Sequence, residues 1–72
     1  MKPSFVICIA NDKYPAALEK WKVYRVLPDE KAAKHSYIRI VDESGEDYLY
    51  PADYFIIVKL PQPVEQAFLQ VA

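Results

Sequence analysis

Val41-Asp42-Glu43-Ser44-Gly45-Glu46-Asp47-Tyr48-Leu49-Tyr50 is the stretch that decides the fold. It holds the only glycine in the chain. Asp suits the first position of a type I turn, and Gly accepts the left-handed conformation that closes a bulged hairpin. Upstream, Tyr37 to Val41 alternates around Arg39; downstream, Asp47 to Tyr50 is a second short run of β-forming residues. Two antiparallel strands joined at Asp42 to Gly45 are therefore expected.

Working outward from this hairpin, Pro51-Ala52-Asp53-Tyr54 reads as a tight connection and Phe55 to Leu60 as a last strand, ended by Pro61 and Pro63. Val64, Ala67, Phe68 and Val71 then recur at spacings of three and four. That spacing predicts a short helix over about residues 63–71, with one apolar face closing an end of the sheet structure. Toward the N-terminus, Asp29 to His35 has acids first and bases last, as the dipole of one helical turn favours. Trp21 to Leu27 and Phe5 to Ile9 complete five strands. Asn11 to Lys20 is a long connection in which Pro15 can begin a turn. Phe5 to Ile9 is apolar on both faces, and its edge or the C-terminal helix is the candidate for self-association. Five short strands with local turns give a mainly β fold, a small barrel with a short C-terminal helix.

Seventy-two residues make one domain. Hydrophobic residues are 53% and aromatics 14%, which suits a compact chain. The net charge of −1 argues against a nucleic-acid partner, because phosphate binding draws on an excess of Lys and Arg. One cysteine excludes an internal disulfide or a multi-cysteine metal site, and Cys8 within its apolar run reads as a buried, inert thiol. That run is too short to cross a bilayer, and a secretory leader is not evident, so a cytoplasmic location is expected. His35 stands alone among charged residues and reads as a solvated loop side chain.

The run Glu46-Asp47-Tyr48-Leu49-Tyr50-Pro51-Ala52-Asp53-Tyr54-Phe55-Ile56 resembles the closing motif of Src-homology-3 domains, in which a strand runs into Pro, two small or polar residues, Tyr and a final apolar strand. Ala16 to Leu27 is similar to that family's diverging turn and following strand, and Asp42 to Gly45 falls where its distal hairpin lies. The resemblance covers about residues 5 to 60 and implies an SH3-like barrel. It also implies an aromatic face for proline-rich peptides, made here of Tyr14, Tyr37, Pro51 and Tyr54, with Tyr48 beside them on the tyrosine-rich strand. The family's tryptophan pair and acidic cluster have no counterparts. The string Val41 to Pro51 is also similar to a group of small bacterial proteins of uncharacterised function, which implies a bacterial source.

Phosphate loops, nucleophile elbows, metal spacings and paired carboxylates in a cleft are not evident, so no enzyme, cofactor or metal is expected. Asp42 and Glu43 are adjacent but assigned to a turn in water. The reading is a protein- or peptide-binding module. Its alternatives are a nucleic-acid-binding barrel, which needs Lys20, Lys22, Arg25, Lys31, Lys34 and Arg39 to converge near Trp21, and a structural, self-associating protein.

Overall fold

The structure, a computed structural model, describes residues 4–71. Its elements in chain order are strands β1 (Ser4–Cys8) and β2 (Val23–Leu27), helix α1 (Glu30–Lys34), strands β3 (Tyr37–Val41), β4 (Asp47–Pro51) and β5 (Phe55–Val58), and helix α2 (Gln62–Val71). A single 3₁₀ turn, Ala52–Tyr54, links β4 to β5.

The hairpin forms as its sequence requires. Tyr37 pairs with Pro51 and Val41 with Asp47 across β3 and β4. Gly45 sits at φ +83°, its N–H donating to the Asp42 carbonyl at 3.0 Å, while the Asp42 N–H donates to the Glu46 carbonyl at 3.0 Å. Helix α1 starts where Asp29 caps it: Asp29 Oδ1 accepts from the Ala32 N–H at 2.9 Å, satisfying a donor the helix itself cannot. The other carboxylate oxygen accepts from Arg39 Nε at 2.9 Å, and Arg39 Nη1 reaches Asp47 at 2.9 Å, so one guanidinium ties α1 to both hairpin strands.

All five strands lie in one antiparallel sheet, ordered β4-β3-β2-β1-β5. Alternate residues of each strand turn to one core: Val6, Cys8, Tyr24, Ile40, Tyr50 and Phe55, joined by Leu18 from the long β1–β2 connection. Tyr50 and Phe55 come from the two edge strands, yet their rings lie 6.4 Å apart, so the sheet curls and its edges meet through side chains.

Four expectations are corrected. The second strand begins at Val23, because Trp21 stands at φ +68° and breaks the extended backbone; its side chain is 69% exposed. The last strand ends at Val58 rather than Leu60. The Phe5 to Ile9 run is no edge: β1 is flanked by β2 and β5, which take up hydrogen-bonding groups on both its sides. Helix α2 lies on the outer face of the sheet rather than across an end. Phe5 points away from the core on β1, and the ring of Phe68 covers it edge-on at 5.0 Å. Val64 and Ala67 remain exposed.

A Cβ on Gly45 would meet nothing within 4 Å, so only its backbone conformation resists substitution. Gly45→Val should lower stability by about 1–2 kcal/mol, and Gly45→Asn by less, since Asn tolerates the left-handed region. Urea denaturation midpoints measure both; a midpoint unmoved by Gly45→Val rejects this turn.

Candidate functional site

Tyrosines on strands bury their rings and seek partners for their hydroxyls. Here two buried ones, Tyr50 and Tyr24, find carboxylates of the β3–β4 turn. Asp42 is 7% exposed, against the expectation of a solvated turn. Its Oδ2 accepts from the Tyr50 hydroxyl at 2.5 Å, and its Oδ1 accepts from the Ser44 N–H at 2.9 Å and the Ser44 hydroxyl at 2.5 Å. Burial alone would raise the Asp42 pKa, but these donors outweigh it and hold the carboxyl below its ordinary value. Burial and the Asp42 carboxylate together push the Tyr50 phenol well up, so it stays a donor.

Next along the turn, Glu43 accepts from Lys22 Nζ at 2.8 Å and from the Tyr24 hydroxyl. The lysine, then the phenol, keep its carboxyl low. The Tyr24 oxygen also accepts from the Glu19 N–H at 2.7 Å, and the Glu43 N–H donates to the Ala17 carbonyl at 3.0 Å. The long connection is thereby fastened to the hairpin turn. Its own fold is set by Leu18, fully buried, and by the Asn11 side chain donating to the Leu18 carbonyl at 2.8 Å.

The fastening leaves an open groove of about 670 Å³. Tyr14, Ala16 and Ala17 form one wall, and Asp42 to Ser44 with Tyr48 to Tyr50 form the other. Tyr14 stands edge-on to Tyr50 at 4.9 Å along the groove and to Tyr54 at 6.3 Å beside it. Tyr48 is half-exposed, its hydroxyl donating to Glu46 at 2.9 Å.

Of the residues singled out in the sequence, Tyr14, Tyr48 and Tyr54 come together around Tyr50. Tyr37 and Pro51 do not join them. They face each other across β3 and β4 on the sheet's other side, because strand alternation sets them opposite to Ile38 and Tyr50. Tyr37 lines a separate shallow depression of about 400 Å³ with Asp29, Lys31, Ala32, His35, Arg39 and Leu49. Sequence reasoning missed Ala16, Ala17 and Asp42. The alternation of Tyr48 and Tyr50 signalled one face, but the partner carboxylate lay in a turn usually open to water. Cys8 is buried, and burial raises its thiol pKa, as suits an unreactive side chain.

Among the described residues, no group of three or more His, Cys, Asp or Glu side chains could hold a metal, and no helix is long and apolar enough to cross a membrane. No protein-family model, curated protein or solved structure matches this chain.

Tyr50→Phe would leave a buried Asp42 oxygen without its donor and should destabilise the fold by about 1–3 kcal/mol at neutral pH. Because the Asp42 pKa is depressed in the fold, its contribution is present above the unfolded value of about 3.8 and lost as pH falls through the folded value. The gap between wild type and Tyr50→Phe should therefore shrink in acid. Denaturation at neutral pH and well below the carboxyl range tests this; a gap that does not narrow refutes the coupling.

Proposed function

We propose that this protein is a small binding module of the Src-homology-3-like kind, which docks an extended peptide along the tyrosine groove. The observation that carries the reading is the gathering of Tyr14, Tyr48 and Tyr50 along one open, largely apolar groove of about 670 Å³, with Tyr54 packed against Tyr14 behind it. That size suits a short ligand segment. Tyrosine edges offer flat apolar surface at low entropic cost, with hydroxyls available at the rim. An extended, proline-containing segment fits such a surface because its backbone is already ordered and exposes carbonyls to those hydroxyls. The exposed acid Glu46, which accepts from the hydroxyl of the groove residue Tyr48, stands beside the groove and favours a basic residue on the ligand.

Peptide is favoured over nucleic acid by how the cations are used. Lys22 is paired with Glu43, and Arg39 is held between Asp29 and Asp47. These pairs interrupt the basic stripe that a phosphate backbone would follow.

Titrating the ¹⁵N-labelled protein with a proline-rich, arginine-containing decapeptide should move the amide resonances of Tyr14, Ala17, Tyr48 and Tyr54. Tyr48→Ala, at a half-exposed ring, should weaken binding roughly tenfold without altering the melting transition. Shifts confined to the opposite sheet face, around Tyr37, would overturn the groove as the docking surface.

A further inference from the structure

We propose that the free edge of β5 pairs with the same edge of a second copy of the chain, antiparallel about a two-fold axis at Ile56.

β5 is an edge of the sheet, and natural edges are blunted by charge, proline or a bulge. This one carries Phe55-Ile56-Ile57-Val58 with none of those devices in the strand. Ile56 and Ile57 point to opposite faces, and both are open, at 53% and 79% exposed. One apolar side chain standing proud is ordinary; two on both faces of an unpaired strand make a surface suited to continuing the sheet.

The backbone phase selects which residues would bond. The Ile9 N–H donates to the Tyr54 carbonyl at 2.8 Å, and Ile7 pairs with Ile56 and Phe5 with Val58. Tyr54, Ile56 and Val58 therefore turn their backbone groups toward β1, and Ile57 and the Phe55 carbonyl turn outward, the Phe55 N–H being held by the Ala52 carbonyl of the 3₁₀ turn. An antiparallel copy centred on Ile56 places Phe55 opposite Ile57 of the second copy, and Ile57 opposite its Phe55. In each pair the Ile57 N–H would donate to the Phe55 carbonyl of the other copy, giving two symmetry-related bonds, while the Phe55 N–H stays with Ala52.

Charge then selects this register and the occupant. Asp53 and Lys59 are exposed and belong to none of the ion pairs among the described residues, which are Lys22–Glu43, Asp29–Arg39 and Arg39–Asp47. They flank β5 symmetrically about Ile56. Pairing on Ile56 sets each Asp53 against the other copy's Lys59, whereas a shift of one hydrogen-bonded step sets Asp53 against Ile57 or Pro61. A parallel arrangement sets Asp53 against Asp53. A strand that complements itself in apolar surface, bond phase and charge has the two-fold self-match of an isologous dimer. The tyrosine groove lies across the core on β4, so the two surfaces fail or succeed independently.

Sedimentation velocity of the full chain over a roughly hundredfold concentration range should show a monomer–dimer equilibrium. Asp53→Lys should weaken the dimer roughly tenfold, because two symmetry-related pairs turn from attraction to repulsion. The double change Asp53→Lys with Lys59→Asp should restore it, and Ile57→Lys should abolish it. At concentrations where the wild type is monomeric, melting curves of these surface variants should match it, and Tyr48→Ala should leave the equilibrium alone. A monomer at every concentration, or a dimer indifferent to Asp53→Lys or to Ile57→Lys, overturns the proposal.

Discussion

A carboxylate removed from water must find donors for its oxygens or it destabilises everything packed around it. Asp42 is in that position, and the structure is arranged about how it is satisfied. Ser44 supplies two donors from within the turn, and Tyr50 supplies the third from near the far end of β4. The same contact that closes the turn thus sets how the most buried ring of β4 enters the core. Gly45 is the permissive element: its positive φ lets the chain reverse tightly enough for Asp42 and Tyr50 to meet.

Glu43 extends this arrangement sideways. Through Tyr24 it reaches β2, through Lys22 the approach to that strand, and through its own N–H the long connection at Ala17. A connection of this length would be mobile if it only skirted the surface. Leu18 inserted in the core, and the bonds to Glu19 and Ala17, hold it against the hairpin turn. The groove follows directly. Its two walls are a loop and a turn that share hydrogen bonds at their base, with tyrosine rings between them.

The two edges of the sheet are treated differently. β4 leans over the core and is backed by the connection and the Tyr14 ring. β5 follows a 3₁₀ turn that takes up the Phe55 N–H, and it keeps two isoleucines in the open. Helix α2 spends its Phe68 on covering Phe5, an interior strand's outward ring, and so leaves the β5 edge uncovered. That division follows from β1 being central: its outer face needed the helix more than the edge did.

Local chemistry was enough to read five strands, the Asp42–Gly45 turn, a helical turn over Asp29 to His35 and a C-terminal amphipathic helix, because each depends on neighbours in the chain. Gly45 at the left-handed position and Asp29 bonded to Ala32 are local consequences of residue type. Strand order, the burial of Asp42, the sides taken by Tyr37 and Tyr48, and the resting place of α2 were decided only in three dimensions. β1 looked like an edge because nothing local says that a strand from the far end of the chain will pair with it. Asp42 looked solvated because its partner hydroxyl arrives by tertiary packing. Tyr37 and Pro51 looked like part of the aromatic face, yet the register of β3 against β4 turned them to the other side. Alternation allows two faces for any strand, and only packing against the rest of the core selects which one is buried.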